Sequence, residues 1–312
     1  MLRKGIDRKK QREVKTVRAM LIINPSSGKE KAMDYEERAV GVLGKRHDLV
    51  VIRYTEKAGD ATKFAAEACD GTYETLLAMG GDGTINECVN GLAEKKQQPA
   101  FAFVPLGTVN DFARALQIPK KPKEALDLLE GYHTKRVDIG KLGNRYFMNV
   151  LAVGVIAEAV YDVTPEEKSK YGHFAYLREG AKAFRNKTPF LLQMDADGIE
   201  AYHDNAYMML AAMTNSVAGF EKFAEQAKVD DHQFHIFLLK DLSIPKAASI
   251  IPDLVKGKLG ANEQVAYFKA KSIRVQSDTK LVVNIDGDEG VPLPFQAEVL
   301  PEEIRVIVPK TV

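Results

Sequence analysis

The feature that most constrains this chain is a glycine-rich turn, GGDGT, which follows an apolar strand and opens a helix within residues 77–91. Glycine has no Cβ, so the N–H groups of such a turn can approach a polyanion closely. The helix that begins near Thr84 would add the positive end of its dipole, and Asp82 offers a carboxylate for a phosphate-bound Mg²⁺. A turn whose glycines serve geometry alone is the alternative, but the combination favours nucleotide binding.

Two further polar turns follow apolar strands. Residues 101–116 read FAFVPLGTVNDFARAL, with a Gly-Thr turn between strand and helix, and the apolar residues 20–23 lead into NPSSGK. In a parallel sheet with helical crossovers, the carboxyl ends of the strands lie at one edge, where open α/β sheets bind ligands. We therefore predict that the three turns converge on one site.

The glycine spacing disfavours two common nucleotide-binding classes. The Walker pattern, in which two glycines four residues apart precede Lys and then Ser or Thr, is absent, which argues against a P-loop NTPase. The Gly81-Asp82-Gly83 sequence lacks the third glycine of the Rossmann fingerprint, which argues against dinucleotide oxidoreduction.

Periodicity divides the chain into two domains. Over residues 17–133 short apolar strands alternate with helical stretches, which predicts an α/β nucleotide-binding domain with a parallel sheet. Residues 134–300 are predicted to form a β-rich domain, an antiparallel sandwich, and residues 1–16 a basic arm. In the β-rich domain, helices are predicted near 172–186 and 244–258, and the strand-like runs are 135–142, 145–153, 189–195, 199–213, 234–240, 265–276 and 280–285. One further strand-like run, 303–308, follows that domain.

Charge and composition narrow the range of partners and of compartments. A net charge of +1, from 44 basic and 43 acidic residues, gives no general attraction to nucleic acid. The sequence has no apolar run long enough for a transmembrane segment. Two cysteines without framework spacing indicate a reducing cytoplasm. The arm at residues 1–16 either contacts anionic lipid or is a solvated tail.

Five motifs, taken in order, resemble those of the bacterial diacylglycerol kinase family: NPSSG, YTEKAGDA, GGDGTINE, PLGTVNDFARAL and NIDGD. GGDGT is shared with NAD kinases, whereas the GTVNDFAR segment separates the lipid kinases from them. The resemblance implies a nucleotide-binding domain like those of NAD and diacylglycerol kinases, completed by residues 301–312. It also implies an active site in the cleft between the two domains, with ATP as phosphoryl donor and Mg²⁺.

The same resemblance assigns nucleotide binding to residues of the motifs. They are Asn24, Pro25, Ser26, Ser27, Gly28, Thr55, Gly80, Gly81, Asp82, Gly83, Thr84, Ile85, Asn86 and Thr108.

The resemblance places the catalytic base on Asp288, where the family pattern Asp-Gly-Glu has glutamate. Aspartate is one methylene shorter, and a displacement of about 1 Å can cost roughly 100-fold in rate. Glu289 and Asp82 are the alternatives for the base. The alternative without a catalytic role is that these carboxylates are solvated side chains at the tip of a hairpin.

A structural Mg²⁺ loop is also implied, held by the side chain of Asp231 and the carbonyls of Lys228 and Gln233. His232 stands where the family has glycine, which would weaken the loop if that position needs φ > 0.

The predicted function is an ATP-dependent lipid kinase that converts diacylglycerol to phosphatidic acid in phospholipid metabolism. Such an enzyme would be cytoplasmic, would contact its lipid substrate peripherally at the inner face of the membrane, and could be a homodimer. The alternatives are a kinase for another lipid alcohol, such as phosphatidylglycerol or a sphingoid base, a kinase for NAD, or a catalytically weakened homologue that binds nucleotide or lipid.

Overall fold

The computed structural model describes residues 16–154, 189–240, 250, 253–254 and 256–312. The helix predicted at 172–186, most of the one at 244–258 and nearly all of the basic arm lie outside the described residues. The arm and the domain limits at 17–133 and 134–300 stay predictions.

The first domain is built on four parallel strands in the order β2, β1, β3, β4. Every residue of β4 is buried, as is typical of a parallel strand covered by helices on both faces. The strands are β1 Arg18–Ile23, β2 Leu49–Tyr54, β3 Tyr73–Gly80 and β4 Ala100–Pro105. The helices are α1 Ser27–Glu30, α2 Glu36–Leu43, α3 Asp60–Glu67, α4 Asp82–Leu92, α5 Asp111–Ala115 and α6 Pro122–Gly131, with a 3₁₀ turn at Ala32–Tyr35.

The second domain consists of antiparallel strands. They are β5 Thr134–Leu142, β6 Arg145–Phe147, β7 Val150–Gly154, β8 Phe190–Ala196, β9 Ile199–Ala206, β10 Met208–Ala212, β11 Phe234–Leu239, β12 Val265–Ala270, β13 Ser272–Ser277, β14 Val282–Ile285, β15 Asp288–Pro292 and β16 Phe295–Ile307, with a 3₁₀ turn at Leu259–Ala261. Among the described residues, one six-stranded sheet runs β12, β11, β10, β7, β14, β15.

The long strand β16 belongs to both halves of the molecule. Its first part pairs with β13, and its last part runs parallel to β4 through Val306 opposite Phe101. Strand β5 pairs with both parts. A register irregularity between Leu300 and Ile304 separates the two parts. The parallel strands therefore continue into the antiparallel ones within a single sheet.

The core of the second domain lies between the two sheets. Leu192 and Val275 from one sheet and Val153 and Ile236 from the other belong to the same buried cluster. A separate cluster that includes Phe223 and Phe237 covers the other face of the six-stranded sheet.

The predicted fold class, a parallel-sheet α/β domain followed by an antiparallel sandwich, is confirmed. Three predicted runs, 145–153, 199–213 and 265–276, are each divided into two strands by a bend of one or two residues. The sequence missed β15 because its residues are mostly exposed and lack an apolar period.

Candidate functional site

An open cleft of about 540 Å³ lies at the carboxyl ends of β1, β2 and β3. It is lined by residues predicted to bind nucleotide, namely Asn24, Pro25, Ser26, Ser27, Thr55, Gly81, Gly83 and Thr84. The lining is completed by Glu56, Lys57, Ala58, Ala61 and Glu87, which the sequence analysis did not single out. Of the other predicted residues, Ile85 is buried in the core, Thr108 is exposed in its turn, and Gly80 ends β3.

The turn after β1 is joined to the turn after β3. The Asn24 N–H donates to the Met79 carbonyl at 3.0 Å, and its side-chain amide donates to the Thr84 hydroxyl at 2.9 Å. The Asn24 side-chain oxygen accepts from the Ser26 N–H at 3.2 Å and from its hydroxyl at 2.8 Å. Gly28, with φ +65°, lies against the Leu106 side chain. These contacts fix the NPSSG turn beside the start of α4.

The turns after β3 and β4 lie against each other. A Cβ on Gly107 would be 2.7 Å from the Asn110 Oδ1 and 3.2 Å from the Gly81 Cα. Asn110, in the left-handed region with φ +55°, accepts from the Gly107 N–H at 2.9 Å and donates to its carbonyl at 2.8 Å. The structure thus brings the three glycine-containing turns to one edge of the sheet.

Asp82 lies at the contact between these two turns. Its Oδ2 accepts from the Asn110 N–H at 2.9 Å, while its Oδ1 is buried and has no hydrogen-bond partner among the described residues. Burial raises the pKa of the Asp82 carboxyl, opposed by the Asn110 N–H and reinforced by the Asp111 carboxylate. A buried carboxylate oxygen without a donor is suited to a cation, so the residues present fit a nucleotide-bound Mg²⁺.

Helix α5 is tied to the second domain through Asp111. The Asp111 carboxylate accepts from the Ser216 hydroxyl at 2.7 Å and from the Gly219 N–H at 2.9 Å. Burial raises the pKa of this carboxyl, and the Ser216 hydroxyl opposes the rise. A second, more exposed link joins Arg114 to Glu221 at 2.5 Å. The GTVNDFAR segment therefore forms contacts between the two domains in addition to its glycine turn.

The NIDGD hairpin is anchored by Asp286. Its carboxylate accepts from the backbone N–H groups of Met148, Asn149 and Val150 at 2.7–2.9 Å, and from the side-chain amide of Asn86 at 2.9 Å. Burial raises the pKa of Asp286 to about 6, against the effect of these donors. Asn86, predicted to bind nucleotide, thus joins α4 to the hairpin.

Asp288 is two residues beyond that anchor and has a different environment. Its side chain is 73% exposed, and its carboxylate lies 4.0 Å from the Arg145 guanidinium. Asp288 pairs with Ile285 and Glu289 with Asn284, so the two carboxylates lie on opposite faces of the hairpin. Asp288 is therefore an exposed side chain at the start of β15, directly after the turn that Asp286 anchors.

The predicted Mg²⁺ loop is organised around Asp231. Its Oδ2 accepts from the Lys228 N–H at 3.1 Å and lies 2.7 Å from the His235 Nε2, while its Oδ1 is buried without a partner in the described part of the chain. Burial pushes the pKa of Asp231 upward, but His235 and the Lys228 N–H hold it below its usual range. The unpartnered Oδ1 fits a cation that the carbonyls of Lys228 and Gln233 would also ligate.

His232 has the backbone conformation that the family glycine would supply, with φ +62°. Its N–H donates to the buried Asp138 carboxylate at 2.6 Å, and its ring Nδ1 lies 3.0 Å from the same carboxylate. The Asp138 side chain raises the pKa of His232. Asp138 also accepts from the Glu302 N–H at 2.7 Å, so it ties β5, β16 and the loop together. These contacts compensate locally for the missing glycine.

Within the described ranges, no three or more His, Cys, Asp and Glu side chains cluster as a metal centre. The helices in that part of the chain are too short or too polar to traverse a bilayer.

The structural roles of Asp286, Ser216 and Glu87 are not visible in the sequence motifs. Asp286 belongs to the NIDGD motif, and Glu87 ends the GGDGTINE motif. Their partners are distant along the chain, at separations of 26 to 200 residues, and local patterns carry no such signal.

Comparisons with known proteins cover nearly the whole chain. Residues 18–142 match the family described as diacylglycerol kinase catalytic domain, and residues 149–308 match the YegS C-terminal NAD kinase beta sandwich-like domain. A diacylglycerol kinase of Staphylococcus epidermidis is 37% identical over 95% of this chain and 93% of its own length.

Solved structures give the same result. The crystal structure of a diacylglycerol kinase from Bacillus anthracis superposes with a TM-score of 0.81 at 28% identity, over 96% of this chain and 99% of that one. An NAD kinase from Archaeoglobus fulgidus in complex with ATP shares the fold alone, with a TM-score of 0.52 at 14% identity over 94% of both chains.

Proposed function

We propose that this chain, which belongs to the family of the diacylglycerol kinase catalytic domain, is an ATP-dependent lipid kinase. In the proposed reaction the hydroxyl oxygen of diacylglycerol attacks the γ-phosphorus of ATP. The bond between that phosphorus and the bridging oxygen breaks, ADP leaves, and phosphatidic acid forms. The hydroxyl proton passes to a carboxylate of the protein.

The observation that carries this proposal is the contact between the two glycine turns. Gly81 and Gly107 are packed so closely that a Cβ on Gly107 would be 3.2 Å from the Gly81 Cα and 3.0 Å from the Asp82 Oδ2. The Oδ1 of Asp82 is buried and has no hydrogen-bond partner in the part of the chain that the structure describes. Phosphoryl transfer depends mostly on positioning and on neutralisation of charge, and fixed backbone donors beside an oxygen free for a cation supply both.

The residues of the cleft have separate roles in this proposal. The N–H groups at Gly81 and Gly83 and at the start of α4 would bind phosphate oxygens. Asn24 would hold the NPSSG turn in place through the Thr84 hydroxyl, and Thr55 would bond the nucleotide with its short polar side chain.

Mg²⁺ has two proposed positions. Asp82 would ligate the ion that accompanies ATP, and that ion would neutralise charge on the phosphates when bound. Asp231, with the carbonyls of Lys228 and Gln233, would hold a structural ion. The unpartnered Oδ1 atoms of Asp82 and Asp231 support both positions.

Asp288 is the proposed base. Its hairpin is fixed to the phosphate-side helix through the bond between Asp286 and Asn86, so the backbone of Asp288 is placed while its side chain stays free to reach the acceptor hydroxyl. Glu289, on the opposite face, and Asp82 are the alternatives that the experiment below separates.

Diacylglycerol is the proposed acceptor because the Staphylococcus epidermidis relative is named a diacylglycerol kinase. The reaction would belong to phospholipid metabolism. Its acyl chains require the enzyme to meet a cytoplasmic membrane surface peripherally. Another lipid alcohol, or NAD, is the competing acceptor.

The test is phosphoryl transfer from labelled ATP, with Mg²⁺, to a panel of micelles containing diacylglycerol, phosphatidylglycerol, ceramide or a sphingoid base, and to NAD without lipid. Wild type is compared with Asp288→Asn, Asp288→Glu, Glu289→Gln and Asp82→Asn. Labelled phosphatidic acid as the main product is expected, with a loss of about 100-fold or more for Asp288→Asn. Full activity of Asp288→Asn would exclude it as the base.

The remaining outcomes are also informative. A higher rate for Asp288→Glu would indicate that the shorter aspartate limits reach. Transfer to NAD without lipid, or ATP binding with no transfer to any acceptor, would contradict the proposed activity.

A further inference from the structure

One wall of the cleft is a turn at residues 55–59 that has little buried apolar contact. Thr55, Glu56, Lys57 and Ala58 line the cleft, and residues 56–59 are exposed. A segment with few buried apolar contacts keeps one conformation only if hydrogen bonds fix it. The geometry of this wall therefore depends on the groups that bind its backbone.

Two carboxylates supply those bonds. Asp60 accepts from the N–H groups of Glu56 at 2.9 Å and Lys57 at 3.0 Å. Glu87 reaches across from α4, and its Oε1 accepts from the Gly59 N–H at 2.9 Å while its Oε2 accepts from the Ala61 N–H at 3.1 Å. Both oxygens of Glu87 thus accept hydrogen bonds from a segment 26 to 28 residues away in sequence.

Glu87 stands on the helix that the phosphate turn opens. The helix begins at Asp82, so Glu87 lies little more than one turn further along. Helices α3 and α4 touch at this level: the Thr62 hydroxyl donates to the Glu87 carbonyl at 3.0 Å, and a Cβ on Gly91 would be 2.3 Å from the Thr62 carbonyl oxygen. Glu87 therefore joins the end of the wall at Gly59 to the helix that begins at the GGDGT turn.

We infer that Glu87 is a positioning residue, which holds the wall at residues 55–59 at the separation from the GGDGT turn that a bound nucleoside triphosphate requires. The inference rests on the proposed function, in which the N–H groups of the glycine turn bind the phosphates of that nucleotide.

The test compares Glu87→Gln and Glu87→Ala with a control, Glu67→Ala. The control removes the same charge from an exposed ion pair on α3, where Glu67 lies 3.7 Å from Arg53. Two measurements are made on the full chain: the dissociation constant of ATP with Mg²⁺ by calorimetry in the absence of lipid, and initial rates with ATP and lipid varied separately.

Glutamine keeps one acceptor oxygen and alanine keeps none, so a graded loss is expected. The dissociation constant of ATP should rise about tenfold for Glu87→Gln and roughly fiftyfold for Glu87→Ala, and stay within about twofold for the control. The KM for ATP should rise in parallel. The KM for lipid, and kcat at saturating ATP, should stay within about threefold of wild type.

Amide hydrogen exchange gives a direct readout of the wall. The N–H groups of Gly59 and Ala61 should exchange faster in Glu87→Ala while those of β3 keep their protection.

A purely structural role predicts a different pattern. Tight ATP binding by Glu87→Ala, or a fall in kcat with an unchanged KM for ATP, would overturn the inference. If no lipid accepts phosphate but the affinity for ATP still follows the graded order, the proposed function fails and the role of Glu87 stands.

Discussion

The edge of the first sheet and the NIDGD hairpin of the second domain differ in how their polar groups are held. At the sheet edge, Gly81, Gly107 and Asn110 pack so closely that backbone groups, not mobile side chains, form the surface. At the hairpin, Asp286 accepts four hydrogen bonds while Asp288 is 73% exposed two residues away. The contact between the two glycine turns is fixed by packing, and the hairpin combines a buried anchor with an exposed carboxylate.

The difference follows from what each region is proposed to do. Phosphate oxygens are bound by donors that gain from having no freedom to reorganise. A base must instead follow a proton on a lipid alcohol that enters from a membrane surface, so its side chain has to be mobile while its backbone is placed. The sequence NIDGD contains both functions, and the chemical difference between its two aspartates lies only in their surroundings.

The largest effect should separate those two aspartates. Asp286→Ala leaves three backbone N–H groups and the Asn86 amide without an acceptor and should lower the free energy of unfolding by roughly 3–5 kcal/mol. Asp288→Ala removes an exposed side chain and should change it by less than about 0.5 kcal/mol. Urea denaturation measures both. Equal losses for the two variants would remove the distinction between anchor and free carboxylate.

The titration of Asp286 tests the same contrast through pH. Its folded pKa of about 6 is above the value of 3.8 expected for an unfolded aspartate, so the folded state binds the proton more tightly. The contribution to stability is therefore present below about pH 4 and is lost as pH rises through 6, by at most ~3 kcal/mol. Carbon-13 NMR of the carboxyl groups should show Asp286 titrating near pH 6. A midpoint below pH 4.5 would contradict the expected burial effect.

The packing of the sheet edge should be sensitive to a single methyl group. Gly107→Ala places a Cβ 2.7 Å from the Asn110 Oδ1 and 3.0 Å from the Asp82 Oδ2, and should lower the free energy of unfolding by about 2 kcal/mol. Gly83→Ala is the control, because nothing lies within 4 Å of its added Cβ and alanine is favoured in a helix. Thermal unfolding without nucleotide measures both, and equal stability of the two variants would mean that the turns are not in tight contact.

The smallest effect concerns the contacts that join α5 to residues 216–221 of the second domain. Ser216→Ala removes the hydroxyl that donates to the buried Asp111 carboxylate and should cost about 1.5 kcal/mol. Glu221→Gln weakens the exposed pair with Arg114 and should cost less than about 1 kcal/mol. Denaturation of both variants ranks the links. A greater loss of unfolding free energy for Glu221→Gln would mean that the surface ion pair, not the Asp111 contact, is the main link between the domains.

Much of this arrangement could be predicted from the sequence, because it depends on local patterns. Alternating strands and helices indicated the α/β domain, and glycines beside polar residues at strand ends indicated where the polar turns lie. Asn24, Thr55 and Thr84 were assigned by the resemblance of the motifs, and the structure places them on one cleft. The exposed β15 was missed for the same reason, since it carries no apolar period.

The sequence by itself determined the residue types at the turns, because closely approached backbone requires glycine and short polar side chains wherever the turn is placed. Only the tertiary structure decided which carboxylate is an anchor and which is free. Asp286 meets donors from residues 148–150 and from α4, Glu87 meets α3, and Asp111 meets residues 216–219, all far away along the chain. Burial and hydrogen-bond partners are properties of the assembled fold, and they set the pKa and the mobility of a carboxylate that its neighbours in sequence leave undetermined.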